Sequence, residues 1–143
     1  MAFTNSLKIQ WNGSIKGKGS IQSLFLDNSI AIPTIFGGTG EGNSPIDLLV
    51  SSAASCYLLT TVGMLNAQKI ADIELNLNTK TDPESKTLII HHFLEIRIPA
   101  DFNDNQINII ENIIHKADKG CHIGNMLRKS DVEIYVKGLV IRK

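Results

Sequence analysis

With 143 residues, 43% hydrophobic and 20% charged, the chain has the size and composition of one ordinary globular domain that can bury a real core. Lys+Arg and Asp+Glu both number 14, so the formal net charge is zero, which removes the basic excess expected of a nucleic-acid binder and leaves no charged tail. The start, MAFTNSLKIQWNG, lacks the charged and apolar regions of a signal peptide, and no apolar run reaches the ~18 residues of a membrane helix; the expectation is a cytoplasmic protein with neither nucleic acid nor membrane as partner.

The first 36 residues read as strands in a small antiparallel meander. LKIQW alternates apolar and polar positions, GSIKGKGS is a Gly-rich turn region, and SIQSLFL and SIAIP continue the alternation, with Trp11 on one face. FGGTGEGNSP, residues 36–45, is a loop with four glycines and a proline. A helix is expected next, over residues 44–68. Ser44 is its N-cap, Pro45 suits the first helical position, and Asp47 stands where a capping box puts its acid. Ser51 to Ser55 are all short side chains, and Leu48, Leu49, Val50, Tyr57, Leu58 and Leu59 make the helix apolar nearly all round, which places it centrally.

Residues 70–143 carry the remaining elements. Two strands, IELNLNTKT and TLIIHHFLEIRIP, flank the turn DPES. Asn103 caps a second helix with Gln106, and Ile107, Ile110, Ile114 and Ala117 form its apolar stripe. Lys116, Lys119 and Gly120 suit its end. HIGNMLRKS is a short helical piece, and DVEIYVKGLVIRK is a closing strand. The order predicts an α+β fold in a single domain over residues 1–143.

The chain's only two cysteines, Cys56 and Cys121, carry the chemistry worth testing. In a reducing cytosol such thiols are buried, catalytic or metal-binding rather than structural staples. A cysteine attacks as its thiolate and needs a lowered pKa. Cys56 lies well inside its helix and needs a partner from elsewhere in the fold; as a small hydrophobe in a packed helix it would be inert. Cys121 follows Gly120 and precedes the short helix, so backbone N–H groups can face its sulfur; a buried loop cysteine is the plainer reading. His91 and His92, adjacent in a strand, must face opposite sides. His115 falls off its helix's apolar stripe, and His122 can either polarise Cys121 or sit in solvent. No CxxC or HxxxH spacing supports a metal, and GGTGEG matches neither a P-loop nor GxGxxG, so neither a metal nor a cofactor is expected.

Two segments carry a family resemblance. GNSPIDLLVSSAASCY resembles the helix entry of the OsmC/Ohr family: Asn or Ser, then Pro, acidic and Leu positions, small residues and a Cys. KGCHIGNML resembles the second signature, a Cys after a helix end and before a short helix. The element order matches over nearly the whole chain. The resemblance implies an OsmC-like fold, with antiparallel sheets wrapped around two central helices in an intertwined homodimer and sites at the subunit interface. It implies a thiol peroxidase acting on organic hydroperoxides, with Cys56 peroxidatic, Cys121 resolving and a cellular dithiol as reductant. Leu59, Tyr57 and Phe36 would favour bulky organic substrates.

The chain also departs from the better-studied peroxidases it resembles. Their Glu ten residues before the first Cys is Ile46 here, with the acid one later at Asp47. Their N-terminal activating Arg is missing, since the first arginine is Arg97, and Ile35 stands before the Gly-rich loop. His122 replaces the Pro after the second Cys. Glu41, Asp47 and His122 are the candidate supporting residues. The alternative function is a non-catalytic OsmC-like dimer, ligand-binding or stress-associated, that kept the thiols without the activating Arg.

Overall fold

The computed structural model describes residues 6–143; the first five residues, part of the start read above for a signal segment and of the expected meander, lie outside them. The chain divides into two compact units, one ending at Leu49 and one beginning at Val50.

In the first unit β1 (Lys8–Asn12), β2 (Lys18–Gln22) and β3 (Asp27–Ile30) form an antiparallel sheet in the order β1-β2-β3. The expected strand SIQSLFL stops early. Ser23–Leu26 is a turn, closed by the Ser23 amide on the Leu26 carbonyl at 2.8 Å and by the Leu26 amide on the Ser23 hydroxyl at 3.2 Å. Leu24 and Phe25 therefore stand in solvent, 88% and 96% exposed, because local alternation cannot register a turn stabilised by a serine hydroxyl.

The Gly-rich loop is built to fold back on itself. Gly37 takes a left-handed φ of 88°, and a Cβ on Gly38 would run into the carbonyl oxygen of Ile32. The amides of Gly37, Gly38, Gly40 and Asn43 are spent on the carbonyls of Thr34, Pro33, Ile32 and Ser29, so they are committed to backbone rather than to a phosphate.

The helix after this loop, α1 (Pro45–Ala67), begins as its sequence dictates. The Ser44 amide donates to the Asp47 carboxylate at 2.8 Å, and the Asp47 amide to the Ser44 hydroxyl at 3.2 Å. Burial is narrower than expected. Only Ala53, Tyr57, Thr61 and Leu65 are buried, one residue per turn, while Leu59 and Val62 are 68% and 44% exposed. Serines and threonines interrupt its apolar run, yet by length and overall composition α1 is apolar enough to cross a membrane, a test that the core helix of a soluble protein also passes.

In the second unit β4 (Glu74–Thr81) and β5 (Ile89–Ile98) form an antiparallel pair. Strict alternation on β5 buries Ile90, His92, Leu94, Ile96 and Ile98 and exposes His91, Phe93 and Arg97. The chain then crosses through α2 (Asp104–Gly120) and α3 (His122–Arg128) to β6 (Glu133–Arg142). This crossover makes β6 parallel to β5, a departure from the expected purely antiparallel sheets. Asn103 and Gln106 form a full capping box on α2, at 2.9 and 2.8 Å. Its buried stripe is Ile110, Ile113, Ile114 and Ala117, with Ile107 only partly buried. The result is the α+β fold the sequence predicts, with Cys121 and the α1 residues Tyr57 and Leu65 in one apolar core and Ala53 in a second with Ile90 and Ile134.

Gly138 lets α2 rest on β6. A Cβ there would come within 2.6 and 2.8 Å of Ile114 Cδ1 and Cγ2. Gly138→Ala is expected to destabilise the fold by about 1–3 kcal/mol through overpacking, read from the urea midpoint with an unchanged m-value.

Candidate functional site: a thiol pair under a helix junction

Cys56 and Cys121 come together in the second unit. Cys56 neighbours the buried stripe of α1 and is half-buried; Cys121 is 2% exposed at the junction of α2 and α3. Both are free thiols, near enough for each to shift the other's acidity, and the Cys121 thiol meets the Ala53 carbonyl at 4.0 Å.

The junction explains the geometry. α2 ends at Gly120, and Cys121 takes an extended backbone, φ −73° and ψ 110°, serving as the C-cap of α2 and the N-cap of α3. Its sulfur fills the acceptor role normally given to a serine or aspartate oxygen, receiving the Gly124 amide at 3.4 Å. The next two amides, of His122 and Ile123, face the other sulfur, that of Cys56.

The two thiols are consequently pushed apart in acidity. Burial alone would raise the Cys56 pKa. Hydrogen bonds from the Ile123 amide, the Cys121 thiol, the Thr60 hydroxyl and the His122 amide outweigh it and leave Cys56 below its ordinary value. Thr60, one turn along α1, has a single hydroxyl hydrogen to divide between that sulfur and the Cys56 carbonyl, which it meets at 2.7 Å. Cys121 moves the other way. Burial pushes it up to about 11, the Gly124 amide only partly offsets this, and the Cys56 and Asp118 charges add to the rise. Of the two, Cys56 is thus the more acidic thiol and Cys121 the one that keeps its proton.

Beside Cys56, the Tyr57 ring stacks on His92 at a centroid distance of 5.2 Å and an interplanar angle of 5°. The Tyr57 hydroxyl donates to the Ile114 carbonyl at 2.9 Å, and burial pushes its pKa up to about 12. His92 Nδ1 meets the Thr79 hydroxyl at 2.8 Å. Burial holds His92 below its usual pKa, with Asp118 opposing and Arg128 adding to the drop, so the ring is neutral near pH 7. Tyr57, stacked on buried His92 and only 1% exposed, is a core residue rather than an open substrate wall.

The remaining candidates fall elsewhere. The His122 side chain is exposed, and it is the backbone of that residue that serves the site. Glu41 is exposed in the Gly-rich loop, its amide on the Thr39 hydroxyl at 3.2 Å, and Asp47 is engaged in the α1 cap; both belong to the first unit. Arg97 is exposed and pairs with Glu95 at 2.8 Å. His91 stacks on Tyr135 on the sheet face opposite His92, as strand alternation requires. Sequence reasoning missed Thr60 and the Ile123 amide. The one signal for them was the spacing of Thr60 a helical turn from Cys56.

Residues 38–137 match the family described as OsmC-like protein. The chain belongs to the OsmC-like family. It is 27% identical over 141 residues, 94% of this chain and 92% of the relative, to the uncharacterized protein YmaD of Bacillus subtilis strain 168. Among solved structures, its fold is similar to that of the OsmC-like protein of Mycoplasma pneumoniae, with a TM-score of 0.68 at 20% identity and 99% of each chain covered. It is also similar to an organic hydroperoxide resistance protein of Elizabethkingia anophelis, with a TM-score of 0.62 at 16% identity and 100% of each chain covered. A third similar structure is the organic hydroperoxide resistance protein OhrB of Bacillus subtilis, with a TM-score of 0.55 at 20% identity, covering 94% of this chain and 98% of that one. The OsmC-like fold is thus common to all of them.

The opposite shifts predict an order of reactivity. Because the Cys56 pKa is lowered, its alkylation by iodoacetamide should remain fast as pH falls below the ordinary thiol value of about 8.5. Cys121 should alkylate only as pH approaches about 11. Peptide mass mapping of each cysteine against pH checks both statements.

Proposed function

We propose that the protein is a thiol-dependent peroxidase that reduces organic hydroperoxides through Cys56 and Cys121. The observation that carries this reading is the closeness of the two thiols, with Cys56 activated by amide donors and Cys121 held protonated beside it. Membership of the OsmC-like family supports it, as do the fold neighbours named for organic hydroperoxide resistance.

The Cys56 thiolate attacks the terminal oxygen of ROOH; an S–O bond forms, the O–O bond breaks, and an alkoxide leaves. The Cys121 thiol supplies the proton that converts it to ROH. Cys121, now a thiolate, attacks the Cys56 sulfenic acid; an S–S bond forms, and hydroxide leaves and takes a proton from solvent to become water. A cellular dithiol then reduces the disulfide by exchange. Hydrogen bonds from amides replace the charge of an activating arginine, which accounts for a working thiolate in a chain whose first arginine is Arg97.

The working form in this reading is a homodimer. α1 buries one stripe and leaves Leu59 and Val62 open, and the first unit carries an apolar groove of about 720 Å³ lined by Ile9, Trp11, Ile30, Phe36 and Ile46. A second copy is the natural cover for so much apolar surface.

Cumene hydroperoxide consumption with a dithiol reductant tests the activity. Wild type should turn over, Cys56→Ser should fall to the uncatalysed background, and Cys121→Ser should accumulate a trappable sulfenic acid on Cys56. A wild type at background, with no sulfenic acid in Cys121→Ser, would reject the peroxidase and favour a ligand-binding OsmC-like dimer.

A further inference from the structure

One guanidinium ties the junction together. Arg128, the last residue of α3, donates to both carboxylate oxygens of Asp118 at 2.7 and 2.9 Å. It also reaches the Asp118 carbonyl at 3.4 Å, the Asn125 side-chain oxygen at 3.3 Å and the Ile134 carbonyl at 3.0 Å. These contacts join the last turn of α2, α3 and the start of β6. The Asp118 carbonyl also accepts the Cys121 amide at 3.3 Å, and Asn125 Nδ2 donates to the Lys119 carbonyl at 2.8 Å. The backbone that the clamp holds is therefore the backbone of Cys121, immediately before the amides that face the Cys56 sulfur.

Arg128 does not offer its charge to the thiolate. Its Nη2 bridges both carboxylate oxygens of Asp118 while its Nη1 turns to Asn125 and the Asp118 carbonyl, so the planar guanidinium spans two sets of acceptors that a single ammonium nitrogen cannot reach together. The side chains are 30% and 21% exposed, so solvent screens the pair only in part.

We propose that Arg128 and Asp118 are positioning residues for Cys56: their ion pair fixes the turn from Cys121 to Gly124 so that the His122 and Ile123 amides stay aimed at the Cys56 sulfur. The proposal rests on the reading of Cys56 as the reacting thiol, and it assigns the work of the missing cation to a fixed backbone. It also separates geometry from charge. A carboxylate near thiols disfavours their ionised form, so deleting Asp118 as a mere charge would make Cys56 more acidic. Deleting it as half of the clamp lets the amides drift and makes Cys56 less acidic.

The test is the pH profile of Cys56 alkylation by iodoacetamide, with Cys56 followed by peptide mass and folding checked by circular dichroism. Asp118→Ala and Arg128→Met should each move the Cys56 midpoint up by roughly one pH unit, which is about tenfold less thiolate well below the midpoint. Arg128→Lys should also move it up, because the ammonium keeps the charge on Asp118 but cannot hold Asn125 and the Asp118 and Ile134 carbonyls at the same time. An unchanged or lowered midpoint in any folded variant overturns the proposal. Should the first two variants fail to fold, Arg128→Lys alone decides, by an upward shift or none. Alkylation uses no hydroperoxide, so a protein with the expected shifts but no peroxidase activity would retain the clamp and lose only the peroxidase reading.

Discussion

The site depends on two backbone amides, of His122 and Ile123, meeting a sulfur on a different helix. A thiol at its reference pKa is only a few per cent ionised near pH 7, and burial makes ionisation harder. Amides offset that cost only if they are held in place, since a donor free to turn away gives its hydrogen bond to water. Much of the second unit serves to hold them. β5 buries an unbroken inner face, α2 lays its isoleucine stripe on β6, and the chain reverses at Cys121 with that residue capping both helices.

That double cap also gives the second thiol its character. Cys121 is buried and accepts from the Gly124 amide, yet burial dominates and keeps it protonated. One turn thus supplies two amides to the first thiol and a proton-bearing second thiol beside it. Tyr57 and His92, stacked beneath and each satisfied by a hydrogen bond, leave Cys56 as the group in this cluster with a lowered thiol pKa. α1 faces two demands at once. Its stripe of Ala53, Tyr57, Thr61 and Leu65 builds the core, while Leu59 and Val62 stay exposed.

Local rules made much of this legible in the sequence. Ser44 with Asp47 and Asn103 with Gln106 announced both long helices, and the alternation of IIHHFLEIRI put His91 and His92 on opposite faces. The two cysteine segments pointed to the family that residues 38–137 match. Other features depend on contacts between residues far apart in the chain and were not legible. The parallel pairing of β6 follows from the crossover, which no strand pattern encodes. The amides that face Cys56 have no side-chain signature, whereas His122 and Glu41, the polar residues the sequence offers, are exposed. The commitment of Arg128 to Asp118, Asn125 and Ile134 exists only in three dimensions. The turn at Ser23–Leu26 was missed for a local reason, a hydroxyl that closes it without glycine or proline.

The central claim is that Cys56 and Cys121 act as one reactive pair within a single chain. Treating the fully reduced protein with one equivalent of cumene hydroperoxide, without reductant, and mapping its disulfides by mass spectrometry tests it most directly. The account predicts an intrachain Cys56–Cys121 disulfide and one alcohol released for each chain oxidised. Two free thiols beside unconsumed hydroperoxide, or a disulfide joining Cys56 of one chain to Cys56 of another, would contradict it.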